Sequence, residues 1–360
     1  MSPGGDTGRG AAHARARMLW RDRAAIEALD LAGRDFEAED WTDALFIDCD
    51  LSGVRLGRGG LDGAQFLDCV LRGSDWRGAT TRDLLLHGCD LDAALLQEGR
   101  HQRLRIVGSD LQGTQWRQAA LEDCSFVGLD LGGSCWHHAR AWRCVWERCR
   151  WTGGALDHTD WRDCVIGQLQ LSATAGLRGL RWTGCVLHGL RLAHCHIVDS
   201  DFSRCQWLRA RLAHCTFADS VLAQVGWSQA RLDHVALAGL DLRQTQWSGA
   251  MLRHCDLGGA RLEASLWNAA RLSACTLARA DLAQADLRDS RLRDCDPRDA
   301  RLDFADLSGC QAEGGRFDGL RAPWAKAMDP RGLPLALFPD RLRREYSPPP
   351  SPSPAAVPSS

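Results

Sequence analysis

The chain has 360 residues, 45% hydrophobic and 25% charged, which is enough apolar material for a large core and too much for a disordered chain. Its formal net charge is −2, so no global field selects nucleic acid, a membrane surface or an acidic substrate. No run of 18 apolar residues occurs and the N-terminus is polar, so neither membrane insertion nor a secretory leader is expected, and the cytoplasm is the expected location.

Residues 1–11 are glycine-rich and read as a flexible N-terminus. Residues 12–29 carry Met18, Leu19, Ile26 and Leu29 among Arg, Asp, Glu and Ala, and read as a short helix capping whatever follows. From Leu31 a large residue then recurs every five: Phe36, Trp41, Phe46, Leu51, and so on to Leu171. A second series runs from Leu177 through Trp182 and Leu187 to Phe317. Of the 58 positions only Thr81, His101, Ala141, Pro297 and Ala312 are not Leu, Ile, Phe or Trp. The six-residue step from Leu171 to Leu177 places one extra residue within 172–176, read as a bulge at a corner. Residues 321–346 read as a C-terminal cap, and 347–360, nearly all Ser, Pro and Ala, as a disordered tail.

Period five suits neither regular element. On a helix the large residues would smear around every side, and on a flat strand they would alternate faces. A chain that bends once per five residues keeps them all inside. Two residues before each large one, Ala, Ser, Thr, Cys or Gly fills 45 of the 58 positions, so small and large inward residues alternate. Fifteen of the sixteen cysteines lie at this small position and Cys135 does not, which reads as buried thiols rather than disulfides or metal ligands.

A second period, of twenty, sets four bends per turn: Trp207, Trp227, Trp247 and Trp267 repeat at that spacing, as do Cys49, Cys69 and Cys89. Stacked chains about 4.8 Å apart make residues 30–320 a four-sided all-β solenoid of roughly 14 coils and about 70 Å. Units such as Ala280-Asp281-Leu282-Ala283-Gln284 and Ala305-Asp306-Leu307-Ser308-Gly309 resemble the A-[DN]-L-x-x repeat of the pentapeptide-repeat family. The resemblance implies a right-handed quadrilateral β-helix. Arg34 and Glu39 depart from it, occupying small-residue positions in the first coils.

No zinc-protease, nucleophile-elbow, P-loop or CxxC motif is present, so no enzyme, cofactor or metal is expected. Cys135, His137 and His138 point to alternate sides of a β chain and read as no metal site. Thr81 and His101, twenty apart and inward, read as a buried hydrogen-bonded pair rather than a catalytic dyad. Charge is unevenly spread. Residues 27–98 hold 16 acids and 6 bases. Arg191, Arg211, Arg231, Arg271 and Arg291 form an outward column beside a second one, His194, His214, His234 and His254. These nine residues are the candidate partner-binding ridge, matched to an unidentified protein with an acidic surface.

The function expected is therefore a non-enzymatic protein-interaction scaffold without direct nucleic-acid binding. Resemblance to solenoids encoded with bacterial type VI-like secretion components implies an accessory role there. The alternative implied by the family is a DNA-mimicking inhibitor or protector of a type II topoisomerase. A mimic needs a continuous anionic surface, whereas here the acidity is concentrated in the first coils.

Overall fold

The five-residue period becomes one side of a square coil. The computed structural model describes residues 4–172 and 177–334, and within them it forms a four-sided β-solenoid of about 14 turns with one short helix. In each unit the large residue and the small residue two before it point inward, and the large residue's two neighbours point outward. Nearly every described corner is turned by a residue at positive φ, as at Asp48 (50°), Asp68 (53°) and Gly88 (65°), where Gly and short polar side chains are the least strained; the corners at Ala38 and Arg58 are exceptions.

Residues twenty apart stack in parallel register, Phe46 on Phe66 and Phe66 on Leu86. We label the four sides by their first inward residue: face A from Ile26, face B from Leu31, face C from Phe36 and face D from Trp41. Hydrogen-bonded strands concentrate on face A (nine strands, Ile26–Glu27 to Val186–His188), the later part of face B (nine, Arg150–Thr152 to Gln311–Glu313) and the middle of face D (six, Thr80–Arg82 to Arg181–Thr183). The extra residue expected within 172–176 shows in the register. Leu171 pairs with Leu192 and Trp161 with Trp182, one residue more than the twenty that separates Leu177 from Ile197. Residues 173–176 themselves lie outside the described residues.

All twelve tryptophans of the five-residue series are buried, and on face A Trp227, Trp247 and Trp267 stack, with Trp227–Trp247 and Trp247–Trp267 centroids 5.1 and 4.7 Å apart. The small inward position does more than leave room. When it holds Ser or Thr its hydroxyl can accept the indole N–H two residues on, as Ser74 does from Trp76 (2.7 Å), Thr245 from Trp247 (2.8 Å) and Ser265 from Trp267 (2.7 Å). All sixteen cysteines are buried thiols, none of them in a disulfide.

The helix, α1, spans Gly4–Arg21, earlier than the expected 12–29. Ile26 instead opens face A, pairing with Phe46, so the first coil begins before residue 30. The helix covers the open end as expected of a cap. Trp20 Nε1 donates to Thr42 O at 2.9 Å, and His13 lies 3.0 Å from a Glu39 carboxylate and stacks on Phe36. This explains Glu39 at an inward position: with no coil beneath it, the carboxylate meets the helix. At the other end residues 321–334 do not leave the coil at 320. Arg321, Lys326 and Arg331 bridge to Arg301, Asp306 and Gln311, adding sides to the solenoid. The remainder of the expected cap, 335–346, and the tail 347–360 lie outside the described residues.

Candidate interaction surface

Face B carries the predicted ridge. The pairings Arg191↔Arg211, Arg211↔Arg231 and Arg271↔Arg291 put the guanidinium stems in one column, all exposed. Met251 occupies the step between Arg231 and Arg271, so the column has one apolar gap. Among the described residues none of these five arginines has a carboxylate within ion-pair distance, and small residues, Ala193 and Ala213, floor a shallow trough beside them. Face D shows the contrast. There Asp241, Arg261, Asp281 and Arg301 alternate in one column and neutralise one another, with Arg301 2.8 Å from Asp281. The side-chain hydrogen bond from Arg243 holds the Asp241 carboxyl below its ordinary value.

The four histidines sit at the next corner, each at φ 50–55° and exposed. Their rings stack face to face at 5.0, 4.8 and 4.7 Å. Parallel rings send their nitrogen lone pairs into separate planes, so they do not converge on one ion at zinc-ligand distance. Among the described residues no group of three or more His, Cys, Asp or Glu is placed to hold a metal. His138 stacks on His158 at 5.0 Å, while Cys135 turns away under Arg117, whose Nε donates to its sulfur at 3.3 Å.

The same column of face B reads differently in the early coils. The residues before its central leucines are Asp30, Asp50, Val70, Asp90, Asp110 and Asp130, linked in register to Arg150. Each aspartate accepts the backbone N–H two residues on, at 2.9 to 3.1 Å. That bond fixes the turn and uses one carboxylate oxygen. Arg72 lies 2.5 Å from Asp90, and Arg150 pairs with Asp130. Counting acids over residues 27–98 detects the charge but not that acid and base share one column.

A second feature escapes a reading by residue type. Three of the five exceptions to the large-residue rule, Thr81, His101 and Ala141, stack on face D around Leu121. The surface sinks over them into an open groove of about 1090 Å³, rimmed by Arg100, Arg140 and Arg181. Trp142 stands at its edge, 47% exposed, with the Arg143 guanidinium 3.6 Å from its ring centre. The twenty-residue spacing of Thr81 and His101 was the available signal.

Comparison with known proteins bears on the fold. Residues 230–266, 268–296 and 280–319 match the family model of pentapeptide repeats, in eight copies. Among solved structures the chain is similar to HetL, a pentapeptide repeat protein involved in heterocyst differentiation regulation in the cyanobacterium Nostoc sp. strain PCC 7120: 18% identity, 87% of this chain, 92% of that one, TM-score 0.18. It is also similar to full-length QnrB1, a plasmid-mediated fluoroquinolone resistance protein, at 15% identity over 62% and 93% of the two chains, TM-score 0.16. A third, Rfr23 of the cyanobacterium Cyanothece 51142, is 19% identical over 40% of this chain and 88% of that one, TM-score 0.14. No curated protein matches by sequence. Residues 230–319 are thus pentapeptide repeats, and the same five-residue geometry carries through the rest of the described solenoid.

Proposed function

We propose that the chain is a non-catalytic interaction scaffold whose face B docks an anionic protein surface on the ridge of Arg191, Arg211, Arg231, Arg271 and Arg291, flanked by His194, His214, His234 and His254. One observation carries this reading: five arginines are held in a single column with no carboxylate among the described residues near enough to pair, while face D interleaves its charges. Neighbouring like charges about 4.8 Å apart repel by roughly 0.9 kcal/mol in water before screening. An anionic face laid along the ridge relieves that repulsion, so the affinity should fall with salt. Replacing Arg211, Arg231 and Arg271 together by Glu tests it. Melting should be nearly unchanged, and the proteins that wild type captures from lysate should be lost; an unchanged set would leave the ridge a solvated face.

The acidic half of the same face favours a second reading, a DNA mimic acting on a type II topoisomerase. Asp50, Asp110 and their neighbours supply anionic charge, but over only part of the rod, and the ridge reverses it. Loss of gyrase supercoiling activity on adding the protein, abolished by Asp50→Asn with Asp110→Asn, would favour this reading over the scaffold. Neither the structure nor the matched proteins support attaching the scaffold to a secretion system.

A further inference from the structure

We infer that the anionic partner of the ridge is the acidic half of face B in a second copy of this chain, packed antiparallel across a two-fold axis. The inference rests on the reading of the ridge as a docking surface and names its occupant. The order of charges along one column carries it. From the N-terminal end the column reads Asp30, Asp50, Val70, Asp90, Asp110, Asp130, then Arg150. It continues Gln170, Arg191, Arg211, Arg231, Met251, Arg271, Arg291. Apart from the central Arg150 and Gln170, the second half read backwards is the first half with every acid replaced by Arg and the one aliphatic residue by another.

Symmetry makes this a geometric statement. When two flat sheets meet face to face with their rods antiparallel, the two-fold axis lies in the contact plane along the strand direction. That operation reverses the order of coils and leaves each column opposite itself. With the axis between the Arg150 and Gln170 coils, Asp130 meets Arg191, Asp110 meets Arg211 and Asp90 meets Arg231. Asp50 meets Arg271 and Asp30 meets Arg291. Val70, 37% exposed, meets Met251. A shift of one coil would set Val70 against an arginine and Met251 against an aspartate, so the apolar gap fixes the register.

The corner column agrees independently, through size rather than charge. The same operation sets His194 and His214 opposite Gly133 and Gly113, and His234 and His254 opposite Ala93 and Gly73. Imidazoles that stand out from one half thus face residues with little or no side chain in the other. The column between the arginines and the histidines sets Arg72 against Arg253 and Asp92 against Asp233, with the opposite charge one coil away in each case. Sheets facing at about 10 Å over a strip roughly 65 Å long and about 10 Å wide cover several hundred Å² per partner. That is near the roughly 800 Å² of a standard interface. An interface built so largely on ion pairs should be strongly salt-dependent.

Charge exchange tests it. By sedimentation at low salt the full chain should have twice its monomer mass and should return toward monomer as salt is added. Arg211→Asp with Arg271→Asp should weaken self-association by roughly tenfold or more. Asp50→Arg with Asp110→Arg should do the same; because those aspartates also cap turns, Asp50→Asn with Asp110→Asn, which keeps the acceptor oxygen, is the companion variant. Equal amounts of the two charge-reversed proteins should associate with each other while neither associates with itself. Val70→Cys and Met251→Cys on one chain should be joined between chains by a short bismaleimide, and neither alone should be. A wild type that stays monomeric at tens of micromolar in low salt, or charge-reversed proteins that fail to associate when mixed, would overturn the inference. Binding of poly-glutamate to the monomer, lost in Arg211→Asp with Arg271→Asp, would in that case leave the docking reading standing. If poly-glutamate is also ignored, both fall.

Discussion

Thr81 Oγ1 and His101 Nδ1 share a hydrogen bond of 2.9 Å inside the solenoid, one coil apart on face D, where most other coils hold Leu or Trp. The pair is complete on one side only. Among the described residues His101 Nε2 is buried without a partner, and the ring meets Trp116 edge to face. Burial pushes the imidazole down from 6.5 to about 4. Below pH 6.5 the unfolded chain takes up a proton here that the folded chain refuses until about pH 4. Stability is therefore full above 6.5 and falls as the pH drops through that window, by about 3 kcal/mol in all. The window lies above that of the carboxylates, such as Asp75, held low by the side-chain hydrogen bond from Arg77, whose loss begins below about 3.8. Thr81→Val with His101→Leu should flatten the denaturation midpoint between pH 6.5 and 4 and raise it at pH 5. A profile identical to wild type would show that the pair does not titrate as buried.

The indole bonds make a second expectation. Thr245 accepts the Trp247 N–H, whereas Trp227, preceded two residues earlier by Val225, has an indole nitrogen with no partner among the described residues. Thr245→Val keeps the shape and orphans a buried donor, which should cost about 1–3 kcal/mol. Val225→Thr offers the missing acceptor and should stabilise by about 1 kcal/mol. Urea titrations of both variants decide the matter, and opposite signs are required.

The solenoid was legible because two periods, five and twenty, are purely local in sequence, and each fixes where a side chain points. The helix was misplaced because Gly4, Gly5 and Gly8 read as flexible, while Ile26 and Leu29 read as helical apolar residues. Ile26 stands five residues before Leu31, so it already belonged to the series. The ridge residues were legible from their spacing, yet their meaning was not. Which of four sides a column occupies, and that Asp50 and Arg271 share one, depends on carrying the register across the extra residue near 173–176. The groove under Trp142 depended on three weak exceptions stacking on one side, visible only once coils were laid side by side.

Trp227 also tests how far damage spreads. It is fully buried between Trp207, tilted against it, and Trp247, stacked on it, with centroids 4.7 and 5.1 Å away. Trp227→Ala should cost roughly 3–5 kcal/mol. Coils contact only their neighbours, so hydrogen exchange should quicken in the adjoining coils and hold near Phe66 and Leu86. Exchange that quickens uniformly would show that the rod unfolds as one unit.

The thiols give the last expectation. Cys149 is buried, and that burial pushes its thiol up to about 11 from 9.0. Burial keeps a reagent from the sulfur, so inward cysteines should resist an alkylating reagent at pH 8 until the chain is denatured, when nearly all sixteen should react. Cys135 lies outside the inward columns and is the most accessible at 8%, so it should be labelled first despite the Arg117 side chain lying over it. Arg117→Ala should quicken that labelling without opening the others. The same shift has a thermodynamic face. The unfolded chain ionises Cys149 above about pH 9 while the folded chain holds its proton to about 11, so stability is full below 9 and falls as the pH rises through that interval. Melting should therefore be lower at pH 10.5 than at pH 8, and Cys149→Ala should narrow the difference; an unchanged difference would show that this thiol ionises alike in both states.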